Sequence, residues 1–248
     1  MKNFQLQAKI LAQTKIKNSY WRCTLRAAPI ARLARPGQFV NIKISAGLTP
    51  LLRRPFSIHG ISGDKLTLLY EVVGQGTQIL AQKKAGESLD IIGPLGNGFE
   101  LKSARPALIV AGGMGAAPLL FLATKVKTLV LVGAKTKEQL LCVQEFKKSG
   151  CRVKISTDDG SAGFKGRVSE LLKHNLAGYN TIYACGPKPM LKAVAEVAKK
   201  YKLPAQLSLE EHMACGIGAC LGCVVKTKDG LRRVCKEGPV FLAEDLIW

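Results

Sequence analysis

Acidic residues are scarce in this chain of 248 residues: 17 Asp and Glu stand against 37 Lys and Arg, a formal charge of +20. The first acid is Asp64, and eleven basic residues precede it. Such a start resembles a transit peptide or a nucleic-acid arm in composition. Its pattern excludes both, because residues 5–10 and 21–25 alternate like half-buried strands. Aromatic residues make up only 6%, too few for base stacking, so no nucleic-acid partner is expected. The excess charge reads as a solvated basic surface with some attraction for anionic cofactors or an acidic partner. Long hydrophobic runs are lacking too. Residues 107–124 carry no charge and approach the length of a membrane span, but Gly112, Gly113, Gly115 and Pro118 interrupt them. A buried strand, a glycine turn and a helix fit better, so no membrane segment is expected. No secretory signal is visible, and scattered Cys23, Cys142, Cys151 and Cys185 suit a reducing compartment; a cytoplasmic location follows as the expectation.

What is present supports a multidomain chain with real cores, at 47% hydrophobic residues. Residues 1–101 show short alternating runs, such as 39–44 and 66–73, with turns expected at Pro36-Gly37, Ser62-Gly63-Asp64 and Gly93-Pro94. That spacing predicts an antiparallel β-barrel. The rhythm changes at Arg105-Pro106. Strands predicted at 107–111, 128–132, 151–156 and 181–184 alternate with helices starting near Pro118 and spanning 137–148, 168–174 and 189–201. Such alternation predicts an α/β domain, a parallel sheet covered on both faces, over residues 102–206. A further strand at 205–209 leads into a small C-terminal segment, 207–248.

That segment carries Cys215, Cys220, Cys223 and Cys235, spaced C-x₄-C-x₂-C-x₁₁-C. A plant-type [2Fe–2S] centre uses a C-x₄-C-x₂-C run and a later fourth thiolate. Gly216, Gly218 and Gly222 let the loop curl and aim N–H groups at the sulfurs. Zinc is the first rival, but structural zinc sites pair two short knuckles. A disulfide framework is the second, and a long globular chain without a secretory signal disfavours it.

Other motifs are weaker alone. Arg54-Pro55-Phe56-Ser57 offers a phosphate-pairing guanidinium, an aromatic ring and a hydroxyl. Gly74-Gln75-Gly76-Thr77 opens a predicted helix, an anion site or a plain glycine turn. The loop from Gly112 and Gly113 through Gly115 to Pro118 follows a strand and opens a helix, which favours a nucleotide phosphate, although it lacks the G-x-G-x-x-G fingerprint. Thr157-Asp158-Asp159 and Cys185-Gly186-Pro187 close two more predicted strands. Consecutive strand ends of small or polar residues point to one shared crevice.

Together these motifs resemble the ferredoxin–NADP reductase superfamily: R-x-[FY]-S at Arg54, Phe56 and Ser57, G-G-x-G-x-x-P from Gly112 to Pro118, and C-G-P at Cys185, Gly186 and Pro187. The cysteine segment, with Glu210-Glu211-His212-Met213 before it, and the run from Gly93 to Phe99 resemble the electron transfer subunits of dihydroorotate dehydrogenase B. The resemblance implies FAD on the barrel, NAD as co-substrate in the α/β domain and one [2Fe–2S] cluster. It implies Arg54 on the FAD phosphates, Pro55, Phe56 and Ser57 along the flavin ring, Leu69, Tyr70 and Glu71 on the adenosine side, and Gly76 and Thr77 at the pyrophosphate. The family often has a basic residue where Glu71 stands. Gly112, Gly113, Gly115, Pro118, Asp158, Gly186 and Pro187 are then the NAD contacts, with NAD preferred to NADP because Asp158 and Asp159 repel a 2′-phosphate, although Lys135 works the other way. Cys185 is the one candidate catalytic position, where nicotinamide approaches flavin, as a positioner and no obvious nucleophile. The implied partner is an FMN-containing catalytic subunit, two of each chain forming a heterotetramer. The implied reaction takes dihydroorotate to orotate in pyrimidine biosynthesis. The rivals are a reductase subunit of another assembly, ferredoxin:NADP or sulfide-linked, and a basic metal-binding interaction module.

Overall fold

The structure, a computed structural model, describes residues 2–45, 47–101 and 106–248. Its first sheet holds β1 (Phe4–Lys17), β2 (Tyr20–Arg26), β3 (Phe39–Lys43), β4 (Arg54–Ser57), β5 (Gly60–Ser62), β6 (Lys65–Glu71) and β7 (Ser88–Leu95). The order is β4-β3-β7-β1-β2-β6-β5, antiparallel throughout. Period-two alternation sends Ala8 and Ile10, Cys23 and Leu25, Leu66 and Leu68, and Leu89 and Ile91 to one interior. To enclose that core the sheet curls until β4 packs against β6, giving a half-barrel in place of the antiparallel barrel that the alternation predicts. Helices α1 (Ala28–Leu33) and α2 (Gln75–Gln82) lie in its connections.

Gly93-Pro94 is not the expected turn. Both residues lie inside β7, where Gly93 pairs with Phe4. The β3–β7 register slips between Phe39 and Asn41, and Pro94 sits beside that irregularity, a place where a missing N–H is tolerated. A Cβ on Gly93 would come 2.7 Å from the Val40 side chain, so a glycine that reads as a turn residue serves close packing instead.

The second sheet contains β8 (Ala107–Gly112), β9 (Leu129–Ala134), β10 (Arg152–Thr157), β11 (Phe164–Lys165), β12 (Thr181–Cys185) and β13 (Ala205–Ser208). A hairpin, β14 (Val224–Thr227) and β15 (Gly230–Arg233), follows, and then β16 (Val240–Leu242) returns to the second sheet. Its order is β11-β10-β9-β8-β12-β13-β16, parallel except for β16. Alternate residues face opposite layers. Ile109, Val130, Val132 and Tyr183 meet α3 (Ala116–Val126) and α4 (Val143–Lys148), whereas Leu108, Leu129, Leu131 and Ile182 meet α5 (Val168–Lys173) and α6 (Lys188–Lys200).

The helix expected over 137–148 is two pieces, a 3-10 turn at Lys137–Gln139 and α4. Cys142, left-handed at φ 60°, separates them while Leu141 turns into the core. A boundary after residue 206 would cut β13, and β16 binds the cysteine segment to the parallel sheet. The other boundary, at residues 101–102, and the Arg105 landmark touch residues outside the described ones. Among the described residues no helix is long and apolar enough to cross a membrane, and the uncharged run 107–124 forms β8, a glycine turn and most of α3.

Candidate functional site

Three cradles meet around one crevice. The first is on the curled sheet. Arg54 begins β4 and lies over the start of α2, where a Cβ on Gly76 would come 3.1 Å from its Nε. The Thr77 hydroxyl accepts from the N–H groups of Val73 (3.0 Å) and Gly74 (3.2 Å) and donates to the Gly74 carbonyl (2.9 Å). Thr77 thus shapes the turn, and the first-turn N–H groups of α2, which have no helical acceptor, supply the anion site beside the Arg54 charge. Along β4, Pro55 and Ser57 line a crevice of about 550 Å³, together with Phe39, Cys185 and Glu210. The Phe56 ring points the other way. It is buried edge-on against Tyr70 at 5.6 Å, and the Tyr70 hydroxyl accepts from Gln13 at 2.7 Å. The rings of Phe56 and Tyr70 therefore build the core, and neither residue lines the crevice. Leu69 is buried with the second sheet's core, and Glu71 accepts from the Ser19 hydroxyl at 3.0 Å.

The second cradle lies at the C-terminal edge of the parallel sheet, where the strand order reverses between β8 and β12. Gly112 and Gly186 both press on Met190, and a Cβ on Gly115 would overlap the Cys185 carbonyl. Two glycine motifs far apart in sequence thus interlock. Among the glycines of these two motifs Gly113 alone has a positive φ, 51°, with open space beyond its Cα. Pro118 sits in the first turn of α3, where no N–H is needed. Burial pushes the Cys185 thiol up to about 12, with the Glu210 charge adding to this against hydrogen bonds from Ser208 and the Gly186 N–H. Cys185 is therefore a protonated wall residue at neutral pH. Burial also raises the Glu210 carboxyl. At the end of β10 the two acids differ. Asp159 accepts from the Ser161 hydroxyl (2.7 Å) and N–H (2.9 Å), whereas Asp158 is an exposed residue whose N–H is anchored on the Ala134 carbonyl.

The third cradle is the cysteine loop. Gly216 and Gly218 adopt φ of 70° and 85°, and the turn they make aims the N–H groups of Ile217 (3.5 Å) and Ala219 (3.3 Å) at the Cys215 sulfur. Desolvation raises the Cys215 thiol, but those N–H groups with that of Cys220, and the Cys220 thiol, outweigh it and bring it down to about 6. Cys235 is pushed up to about 12 by burial and by neighbouring Cys223, whose sulfur accepts from the Cys235 N–H at 3.4 Å. Cys220 lies beside Cys215 and Cys223 beside Cys235, while Cys215 also acts on Cys235. Among the described residues no three metal-binding side chains converge on one point. The C-x₄-C-x₂-C run with a later fourth thiol, and the N–H groups turned onto the Cys215 sulfur, fit a [2Fe–2S] cluster better than the two short knuckles of a structural zinc site. Arg233 holds the loop from behind, donating to the Gly218 carbonyl at 2.7 Å and pairing with Glu237, whose carboxyl it holds down to about 2.

Sequence motifs missed the residues that join the cradles. Asn41 of β3 donates to the Cys215 carbonyl at 3.1 Å. His59 Nδ1 donates to the Ala117 carbonyl at 2.8 Å, Arg22 pairs with Glu145 at 2.7 Å, and Phe121 of α3 sits in the half-barrel core. A polar residue inside the apolar run Phe39-Val40-Asn41-Ile42 was the available signal for Asn41.

Comparison with known proteins agrees with this geometry. Residues 210–247 match the iron–sulfur cluster binding domain of dihydroorotate dehydrogenase B. The electron transfer subunit of dihydroorotate dehydrogenase B (NAD(+)) from Caldanaerobacter subterraneus subsp. tengcongensis is 41% identical over 250 residues, 99% of each chain. That from Clostridium acetobutylicum is 39% identical, covering 100% of this chain and 99% of the relative. Among solved structures, an NADH-dependent reduced ferredoxin–NADP oxidoreductase aligns with TM-score 0.88 and 30% identity, over 98% of this chain and 90% of the other. The ferredoxin reductase of carbazole 1,9a-dioxygenase shares the fold, at TM-score 0.70 and 19% identity over 82% of this chain and 67% of the other.

Proposed function

This chain belongs to the dihydroorotate dehydrogenase B electron transfer subunit family, and on that premise we propose how its residues divide the work. The chain is the oxidoreductase subunit that passes electrons from an FMN-containing catalytic subunit through [2Fe–2S] and FAD to NAD⁺ as dihydroorotate becomes orotate in pyrimidine biosynthesis. When bound, the cluster supplies one-electron transfer and the flavin exchanges either single electrons or a hydride. Arg54 and the α2 N–H groups at Gly76 and Thr77 hold the FAD phosphates; Pro55, Ser57 and the backbone of Phe56 flank the flavin ring. Leu69, Tyr70 and Glu71 contribute backbone on the adenosine side. Gly113 faces the NAD pyrophosphate, and Gly112, Gly115, Pro118, Gly186 and Pro187 set the shape of that loop. Asp158 faces the ribose and disfavours a 2′-phosphate. Cys185, held neutral, closes the crevice and excludes water where the two rings meet. Cys215, Cys220, Cys223 and Cys235 would hold the cluster.

One observation carries the placing of the cluster between the partner and the flavin. Cys223 and Cys235 are buried, whereas Cys220 is exposed beside exposed Ile217 and Leu221, next to an apolar groove formed with Val224 and Leu231. The cluster loop touches the half-barrel through Cys215 and offers its other side outward, the arrangement that electron entry from a partner needs. The partner is the FMN-containing catalytic subunit, in a heterotetramer of two copies of each chain, and the reducing cytoplasm suits eight free cysteines. The 30% identity to an NADH-dependent ferredoxin–NADP oxidoreductase favours a second reading, a reductase subunit of another assembly. Co-expression with an FMN catalytic subunit decides between them. The first reading expects co-purification and dihydroorotate-dependent NADH formation; a stable flavoprotein that neither associates nor supports that turnover favours the second.

A further inference from the structure

Asn41 is the side chain on which the cluster loop rests. It lies in β3 between Val40 and Ile42, both fully buried, and is itself 1% exposed. Across the ladder Asn41 faces Pro55, and Phe39 faces Ser57. Opposed residues of antiparallel strands share a face, so Asn41 stands on the sheet face whose Phe39, Pro55 and Ser57 wall the crevice. Its amide nitrogen donates to the Cys215 carbonyl at 3.1 Å, and a Cβ on Gly216 would overlap that nitrogen. Gly216 is thus required by this contact as well as by its positive φ. The other half of the amide is unsatisfied, because Oδ1 is buried without a hydrogen-bond partner. A buried acceptor left unmet destabilises a fold where an apolar side chain would not. Core stability is therefore not what this amide supplies.

We propose that Asn41 is a positioning residue for electron transfer between the flavin crevice and the cluster. The inference rests on the proposed function and deepens it. The amide fixes the Cys215 ligand at two residues' remove from the Pro55–Ser57 wall, so the cluster cannot drift from the flavin when a partner docks on its outer side. The same hydrogen bond sets the local field. The Cys215 carbonyl carries its negative end close to its own thiolate, and the Asn41 N–H offsets that charge, which favours the state with one more electron on the cluster side. A second tie holds the cysteine segment elsewhere: Asn97 donates from Nδ2 to the Glu237 carbonyl at 2.9 Å and from its N–H to the Gly238 carbonyl at 2.5 Å. Its hydrogen bonds end at Glu237 and Gly238 rather than at Cys215, and so it serves as the comparator.

The test uses the full chain loaded with FAD and cluster, as wild type, Asn41→Asp, Asn41→Ala and Asn97→Ala. The readouts are FAD content, flavin bleaching by NADH in stopped flow, the electron paramagnetic resonance signal of the reduced cluster, and its midpoint potential. Both Asn41 variants are expected to keep FAD and its bleaching by NADH, to change the resonance signal, and to lower the equilibrium for cluster reduction about tenfold, ~59 mV for one electron. Loss of the cluster from both, with FAD and the melting curve kept, also counts for the proposal. Asn97→Ala is expected to leave signal and potential in place. An unchanged signal and potential in both Asn41 variants overturns the proposal, as does an equal shift in Asn97→Ala. Failure of NADH to bleach the wild-type flavin strikes the proposed function instead.

Discussion

The cysteine sulfurs do not behave alike, although all four sit in one short segment. N–H groups from a glycine-shaped turn draw Cys215 down to about 6, while burial and Cys223 hold Cys235 up to about 12. Each nonetheless belongs to the same spaced set, so losing one thiol would remove one of the four ligands. Cys220→Ser and Cys223→Ser are expected to lose the iron–sulfur absorbance and loosen the segment, because ligation and folding are coupled, while FAD stays bound. Iron and flavin analysis of anaerobically purified variants checks this, and zinc in the wild type would contradict it. At the other end of the crevice, Arg54→Ala removes a charge-assisted phosphate contact. The expected loss is about 1.5–3 kcal/mol, roughly tenfold to over a hundredfold in FAD affinity, measured by titrating the apoprotein. The cysteines were legible by spacing, and Arg54 through the resemblance of its motif. The burial of the Phe56 ring was not, since alternation along β4 does not say which face is the core.

Between elements, the joint that matters is the one between the half-barrel and α3. His59 reaches from the end of β4 to the Ala117 carbonyl, and Phe121 returns the contact from α3 into the half-barrel core. Burial lowers the His59 pKa below its usual value, with Arg22 adding to this and the Ala117 carbonyl and Glu145 opposing it. A histidine held neutral contributes stability that is fully present above its unfolded pKa of about 6.5 and drains away as the pH falls through the folded value. Melting temperature should therefore drop as the pH goes below about 6.5, and His59→Gln should flatten that acid limb relative to wild type. Thermal melts across about pH 5 to 8 decide it; an unchanged slope removes His59 from the joint. No periodicity announces such a contact, because one hydrogen bond between two elements leaves no repeating trace. The split of the helix expected over 137–148 was hidden for a related reason. Lys137 to Lys148 contains no proline or glycine, and the break comes from Cys142 adopting a left-handed backbone while Leu141 is drawn into the core.

Across the whole molecule the crevice is shared. Its walls come from the half-barrel at Pro55 and Ser57, from the parallel sheet at Cys185, and from the segment leading to the cysteines at Glu210. The outer face of the cysteine loop remains apolar, with Leu221 61% and Leu231 66% exposed beside an arginine pair, Arg232 and Arg233. A charge placed there must be desolvated when the catalytic subunit docks. Leu221→Asp is expected to weaken association with the FMN catalytic subunit about tenfold or more, as burying an unpaired charge costs more than ~1.4 kcal/mol. NADH oxidation by artificial acceptors in the isolated chain should stay unchanged. Sedimentation of the mixed chains measures the first and a steady-state assay the second; equal association of wild type and variant would move the docking face elsewhere.

Local chemistry determined as much as the sequence could settle by itself. Cysteine spacing follows from the reach of a short loop around a small cluster, strand periodicity from the pleat, and glycine turns at strand ends from the N–H groups an anion needs. Each depends on neighbours in the chain, so each can be read along it. The tertiary structure alone decided what depends on approach between distant segments. It joined Gly115 to Cys185, drew β16 onto β13 so that the cysteine segment became part of the parallel sheet, and turned Gly93-Pro94 into strand. It also set Asn41 under Cys215. These arrangements are steric and hydrogen-bonding matches across as many as 174 positions of sequence, and only a packed fold brings such partners within reach of each other.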